Sequence, residues 1–147
     1  MGRRQSRETA LQVLFAIDVG KNEPDFALRN TAEEFGAGSQ ELEFARELVR
    51  GTLEHIDEID QMIRRVSKEW QLNRMASVDR NIMRLALYEM NFREDIPASV
   101  SVNEAVELAK IFGGPDSGRF VNGILGKIIE EESDTKAEAI LPELPMN

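Results

Sequence analysis

The chain has no cysteine, one histidine, one tryptophan and one tyrosine in 147 residues. Disulfides and thiolate metal sites are therefore excluded, and the composition fits a reducing cytoplasm. The lone histidine, His55, sits in an acidic run with no Glu-x-x-His partner motif, and it reads as an exposed helix residue. Carboxylates alone remain as metal ligands, and no metal or cofactor is expected. No G-x-x-x-x-G-K-[ST] loop is present, and Gly36-Ala37-Gly38 is too short for a dinucleotide fingerprint. No apolar run approaches the roughly 20 residues of a membrane span. Basic residues precede an apolar patch at the start, but Gln12 and Asp18 interrupt it with helical spacing, unlike a secretory leader. Met1 to Ser6 matches the loose myristoylation pattern, which is read as accidental. Enzyme chemistry, which needs a tuned acid, base or nucleophile, has little to stand on.

What is present is helical periodicity. No segment alternates apolar and polar residues long enough for a strand, so the chain reads as all-α. Helices are expected over about 6–19 (Ser6 as cap, Gly20 as stop) and 24–35 (Pro24 in the first turn, Gly36-Ala37-Gly38 as breaker). A periodic stretch from Leu42 to Trp70, capped by Ser39, is too long for one helix. A break is expected near His55–Asp57, with Asp57 as a new cap. Leu72–Ala76 reads as a connector, followed by helices at about 77–92, 101–112 and 116–131. Seven helices suit two small antiparallel bundles packed as one domain over 1–132, with subdomains of about 1–72 and 77–132. Residues 133–147, acidic and holding Pro142 and Pro145, read as a mobile tail.

The most informative stretch is PASVSVNEAVELAKIFGGPDSGRFVNGIL, from Pro97 to Leu125. Ser101 and Glu104 have capping-box spacing, Gly113-Gly114-Pro115 is a stop, and Asp116 or Ser117 can cap the next helix. Phe112 and Phe120 flank this polar turn. Gly123 and Gly126 are best explained by helix packing, whereas Gly118, beside Asp116, leaves room for a ligand.

The net charge of −9 argues against nucleic acid, but its distribution matters more. Residues 21–60 carry a net of −7 and residues 130–147 a net of −5, leaving the remainder at +3. A basic face led by Arg3, Arg4 and Arg7 can survive. Guanidinium forks suit phosphate oxygens, and exposed phenylalanines such as Phe15, Phe112 and Phe120 can receive unstacked bases. The alternatives remain open: arginines that only solvate a helix end, and phenylalanines that belong to the core.

V-N-E-A-V-E-L-A-K followed by D-S-G-R-F-V-N-G-I-L resembles the C-terminal signature of the NusB family of bacterial transcription antitermination factors. The resemblance extends to S-R-E-T-A-L-Q-V-L-F and V-D-R-N-I-M-R-L-A-L-Y-E-M, covering roughly residues 3 to 130. It implies a non-enzymatic cytoplasmic adaptor. Such an adaptor binds boxA, a short single-stranded RNA element of ribosomal RNA leaders, together with the small-subunit ribosomal protein NusE, near elongating RNA polymerase. It assigns RNA binding to Arg3, Arg4, Arg7, Phe15, Phe112, Asp116, Gly118, Arg119 and Phe120. It assigns NusE binding to Val78, Asp79 and Arg80. Phe15 stands where the family often has tyrosine, so stacking survives without the hydroxyl; Gln5 interrupts the usual arginine run. Rival readings are a protein-interaction module without RNA, a homodimer that masks the RNA face, and a helical domain of the kind that precedes ribosomal RNA cytosine methyltransferases.

Overall fold

A computed structural model describes residues 2–35, 40–68 and 70–140. Seven α-helices and one 3-10 turn make up its regular structure, with no strand among the described residues. They are α1 (Gly2–Asp18), α2 (Pro24–Phe35), α3 (Gln40–Glu54), α4 (Ile56–Val66), the turn Leu72–Arg74, α5 (Ser77–Phe92), α6 (Ala98–Phe112) and α7 (Ser117–Ile140). The expected breaker 36–38, the cap Ser39 and the segment 141–147 lie outside the described residues.

Helix α5 is the axis of the molecule. Every residue from Asp79 to Glu89 is buried, because α1, α3, α4, α6 and α7 all pack on it. Leu14, Leu48, Ile59, Ile63, Ile82, Leu85, Leu108 and Leu125 close one continuous core around it. α1 and α3 pack together with α2 beside them, while α6 and α7 form an antiparallel hairpin. α4 spends its contacts mainly on α5 and α7, so it lies with the second group, N-terminal to the join expected near 72–77.

Several local expectations are corrected. α1 begins at Gly2, so Ser6 is interior; its buried hydroxyl donates to the Glu41 carbonyl at 2.7 Å. α6 begins at Ala98 behind Pro97, whose fixed φ of −61° leads the chain into the helix. Ser101 is therefore no cap: it donates to the Glu89 carboxylate at 3.1 Å. Asp57 lies in the first turn of α4, whose N-cap is His55, without a side-chain capping bond. His55 is half-buried and stacks on Phe92, with ring centroids 3.8 Å apart. α7 continues past 131 to Ile140, since Ala, Lys and Glu in that stretch extend a helix already nucleated. Trp70 is not inward: α4 ends at Val66, and the indole is 56% exposed. Gly118 packs against α6, where an added Cβ would meet Lys110 and Val106 at van der Waals distance. Gly123 and Gly126 instead face open space, so packing does not explain them.

Two buried ionic clusters fasten α5. At its N-terminal end Asp18 receives Arg80 Nη2 at 2.7 Å and Asn81 Nδ2 at 3.0 Å, and Arg84 holds Asp60 of α4 bidentately at 2.8 and 2.9 Å. Burial pushes the Asp18 carboxyl up, but the Arg80 and Asn81 hydrogen bonds and the Arg80 and Arg84 charges together hold it below 3.8, its ordinary value. A lowered native value adds stability above the unfolded value, and that stability is lost as pH falls through the native one. Thermal melts should therefore show Tm falling below about pH 4. Asp18→Asn should melt lower at pH 7 and decline less steeply on acidification; a wild-type slope in the variant would contradict this account.

Candidate nucleic-acid interface

The helical rotation of about 100° per residue sorts the three N-terminal arginines onto different surroundings. Arg7 turns inward. Its guanidinium donates to Glu89 at 2.7, 2.9 and 3.1 Å, and both side chains are almost fully buried. Arg7 is thus corrected from a phosphate ligand to a structural ion pair. Arg3, 400° away and so on nearly the same side, lies over the Phe44 ring at 4.4 Å, with Asp95 at 3.7 Å. It faces α3 and Arg93, in a groove also lined by Glu43 and Glu47. Only Arg4 reaches the C-terminal hairpin.

Arg4 Nε and Nη2 donate to the two Glu104 oxygens at 2.9 and 3.1 Å, a bidentate bridge across 100 residues. The Glu104 hydrogen bond and charge raise the Arg4 pKa further, with smaller contributions from Glu107 and Glu8. The guanidinium is half exposed. Two of its five N–H groups are used, so three remain for an incoming anion.

Beyond this bridge, a groove of about 620 Å³ runs along the α6–α7 hairpin, lined by Asn103, Glu107, Lys110, Gly118, Arg119 and Asn122. Glu107, whose charge reaches Arg4, forms part of its wall. Lys110 approaches Glu107 at 3.4 Å, whereas Arg119 has no hydrogen-bond or ionic partner among the described residues. The groove offers amides, cations and one carboxylate along a shared surface. That set can hold phosphates and read base edges. No cluster of metal-ligating side chains occurs among the described residues.

At the elbow, Gly114 N–H donates to Ser117 Oγ at 2.9 Å, which fixes the turn. Asp116 caps α7 through its backbone carbonyl, which accepts from Phe120 N–H at 3.0 Å. Its exposed carboxylate has no partner among the described residues. Phe112 is 37% exposed at the end of α6, and Phe15 is equally exposed on α1. Phe120 is half-buried and points to the other side of α7, where its ring meets Trp70 edge-on at 6.1 Å. No ring contact joins Phe15, Phe112 and Phe120 among the described residues. The structure thus brings Gly118 and Arg119 to one groove, with Arg4 beside its Glu107 wall and Asp116 and Phe112 near its elbow, and leaves Arg3 and Arg7 elsewhere.

The expected partner surface at Val78-Asp79-Arg80 is largely inside the fold. Val78 packs on the core, and Arg80 is committed to Asp18 and to the Leu72 and Met75 carbonyls. Asp79 is 7% exposed, and its Oδ1 has no hydrogen-bond partner. Sequence reasoning missed Glu104 as the anchor of Arg4, and missed Asn103, Lys110 and Asn122. The α6 periodicity could have found Asn103 and Lys110, which flank its apolar stripe, whereas Asn122 lies on α7.

The sequence matches the NusB family over residues 4–130. It is 76% identical over 134 residues to the transcription antitermination protein NusB of Desulforamulus reducens, covering 91% of this chain and 94% of that protein. Among solved structures, T. maritima NusB is 39% identical with a TM-score of 0.81, covering 88% of this chain and 91% of that one. A chain from a crystal structure of antitermination factors NusB and NusE in complex with dsRNA is 30% identical with a TM-score of 0.80, covering 88% and 97%. With matches of this extent at the levels of sequence and fold, the chain belongs to the NusB family.

Proposed function

We propose that this chain is a transcription antitermination factor, a non-enzymatic adaptor of the cytoplasm. It holds boxA-type single-stranded RNA together with NusE, close to elongating RNA polymerase. The observation that carries this reading is the Arg4–Glu104 bridge. It sets a half-free guanidinium beside a groove whose far end holds Arg119, with the unpartnered Asp116 and exposed Phe112 at the elbow. Cations neutralise phosphates, Phe112 receives a base, and the Asp116 carboxylate accepts hydrogen bonds from base amino groups. Asp79, with an acceptor lacking a donor, is the part of the α5 start that a protein partner such as NusE would engage.

The test is a titration of boxA RNA at several salt concentrations, with and without NusE, and with a duplex of the same sequence alongside. Single-strand binding should weaken with a slope near −0.7 per neutralised phosphate in log K against log salt. Arg4→Ala with Arg119→Ala should remove about 1.4 from that slope. An unchanged slope would take both residues out of the site. Duplex binding tighter than single-strand binding would overturn the single-strand assignment. Binding of NusE but never of RNA would favour a protein-interaction module.

A further inference from the structure

On the other side of α7 lies a surface that no residue assigned above explains, Arg119 and Phe120 excepted. A groove of about 380 Å³ is lined by Lys68, Trp70, Arg119, Phe120, Gly123 and Lys127. A second, of about 350 Å³, shares Lys68 and Trp70 and adds Arg64, Gln71 and Asn73. Together they expose four cations, Arg64, Lys68, Arg119 and Lys127. None has a hydrogen-bond or ionic partner among the described residues. Among the described residues, no carboxylate lines either groove. In a chain of net charge −9, that is a marked segregation.

Trp70 is the centre of this surface. Large aromatic side chains are mostly buried on average, yet this one is 56% exposed. It is also held in place: its backbone N–H donates to the Ser67 carbonyl at 3.0 Å, the Ser67 hydroxyl donates to the Ile63 carbonyl at 2.7 Å, and Phe120 abuts the indole edge-on. Gly123 weakens the interior of α7, and a Cβ there would meet nothing within 4 Å. Packing within the fold does not require that glycine. Cation and ring alternate, as Lys68 with Trp70 and Arg119 with Phe120. The phosphates and bases of an unpaired strand alternate in the same way.

Arg119 lines this groove and also the α6–α7 groove described above. We infer that the RNA strand crosses α7 at Arg119 and continues here. One base stacks on Trp70, and flanking phosphates lie on Lys68, Lys127 and Arg64. The inference rests on the RNA-binding reading of the hairpin and extends it by a second station, for nucleotides that adjoin the boxA core.

Trp70 is the only tryptophan, so its emission reports on this groove in the unmodified chain. The chain is titrated with the boxA core, and with the same RNA extended by several nucleotides at either end in turn. Emission should be quenched by one of the extended strands and not by the core. That extended strand should bind more tightly than the core, and Trp70→Ala should abolish about 5- to 150-fold of this gain. Lys68→Gln with Lys127→Gln keeps the indole as reporter. It should lower the salt slope for the extended strand by about 1.4 while leaving the slope for the core unchanged. Core binding with silent emission for every extended strand would overturn the inference and leave the hairpin site standing. Quenching by NusE alone, with no response to RNA, would make the groove a protein surface and equally overturn it. If the core RNA never binds, the functional reading itself fails. Oligouridylate then decides the groove: quenching sustains it as an RNA surface, and its absence removes it.

Discussion

Glu89→Ala should cost about 3–5 kcal/mol of stability, seen as a Tm fall of about 6–20 °C. The carboxylate is 1% exposed, and it accepts three hydrogen bonds from Arg7 and one from Ser101. Truncation leaves the Arg7 charge buried without a counterion, and that uncompensated charge dominates the loss. The pair itself is not intrinsically stabilising, because two charges were taken out of water to make it. Replacing both Arg7 and Glu89 with leucine should therefore recover most of the stability that the single change removes. Urea denaturation of wild type, single and double variants measures this. A loss below 1 kcal/mol in Glu89→Ala would show that the pair is not sealed from solvent.

Gly51→Ala should destabilise by about 1–3 kcal/mol, although alanine favours helix over glycine by about 1 kcal/mol. Gly51 lies inside α3, and a methyl there would overlap the ring of Tyr88. Tyr88 is held on its other sides, stacked with Phe92 at 5.9 Å and His55 at 6.3 Å. It can escape only by leaving that stack and the core. In a Tyr88→Leu background the penalty of Gly51→Ala should shrink or change sign, so a double-mutant cycle by thermal or urea unfolding isolates the contact. Equal penalties in both backgrounds would place the strain elsewhere.

The helices were legible because apolar spacing survives tertiary packing; Leu42 to Ile63 shows both the period and the break at His55. What depended on a distant partner was not legible. Ser101 and Glu104 have capping-box spacing, yet each is claimed from outside the helix, by Glu89 and by Arg4. Arg3, Arg4 and Arg7 look equivalent in a basic run, and only rotation about α1 sends one inward, one over Phe44 and one to the hairpin. Trp70 continued an apolar period that ended structurally at Val66, so the same spacing that located the core hid an exposed ring. The elbow residues were legible as a cluster because the turn keeps Asp116 near in sequence to what it serves. The split of Phe112 and Phe120 to two sides of α7 was not, since it needs the packing of α4 and α7.

The contacts from Arg7 to Glu89 and from Arg4 to Glu104 span 82 and 100 residues. As the polypeptide emerges from the ribosome, α1 is made well before the carboxylates that seat its arginines. Until α5 and α6 have followed it, Arg4 and Arg7 lack the carboxylates that seat them. A nascent chain halted after α4 would thus display loose cations on α1, and elongation through residue 104 would convert them into one anchored and one inward-turned side chain.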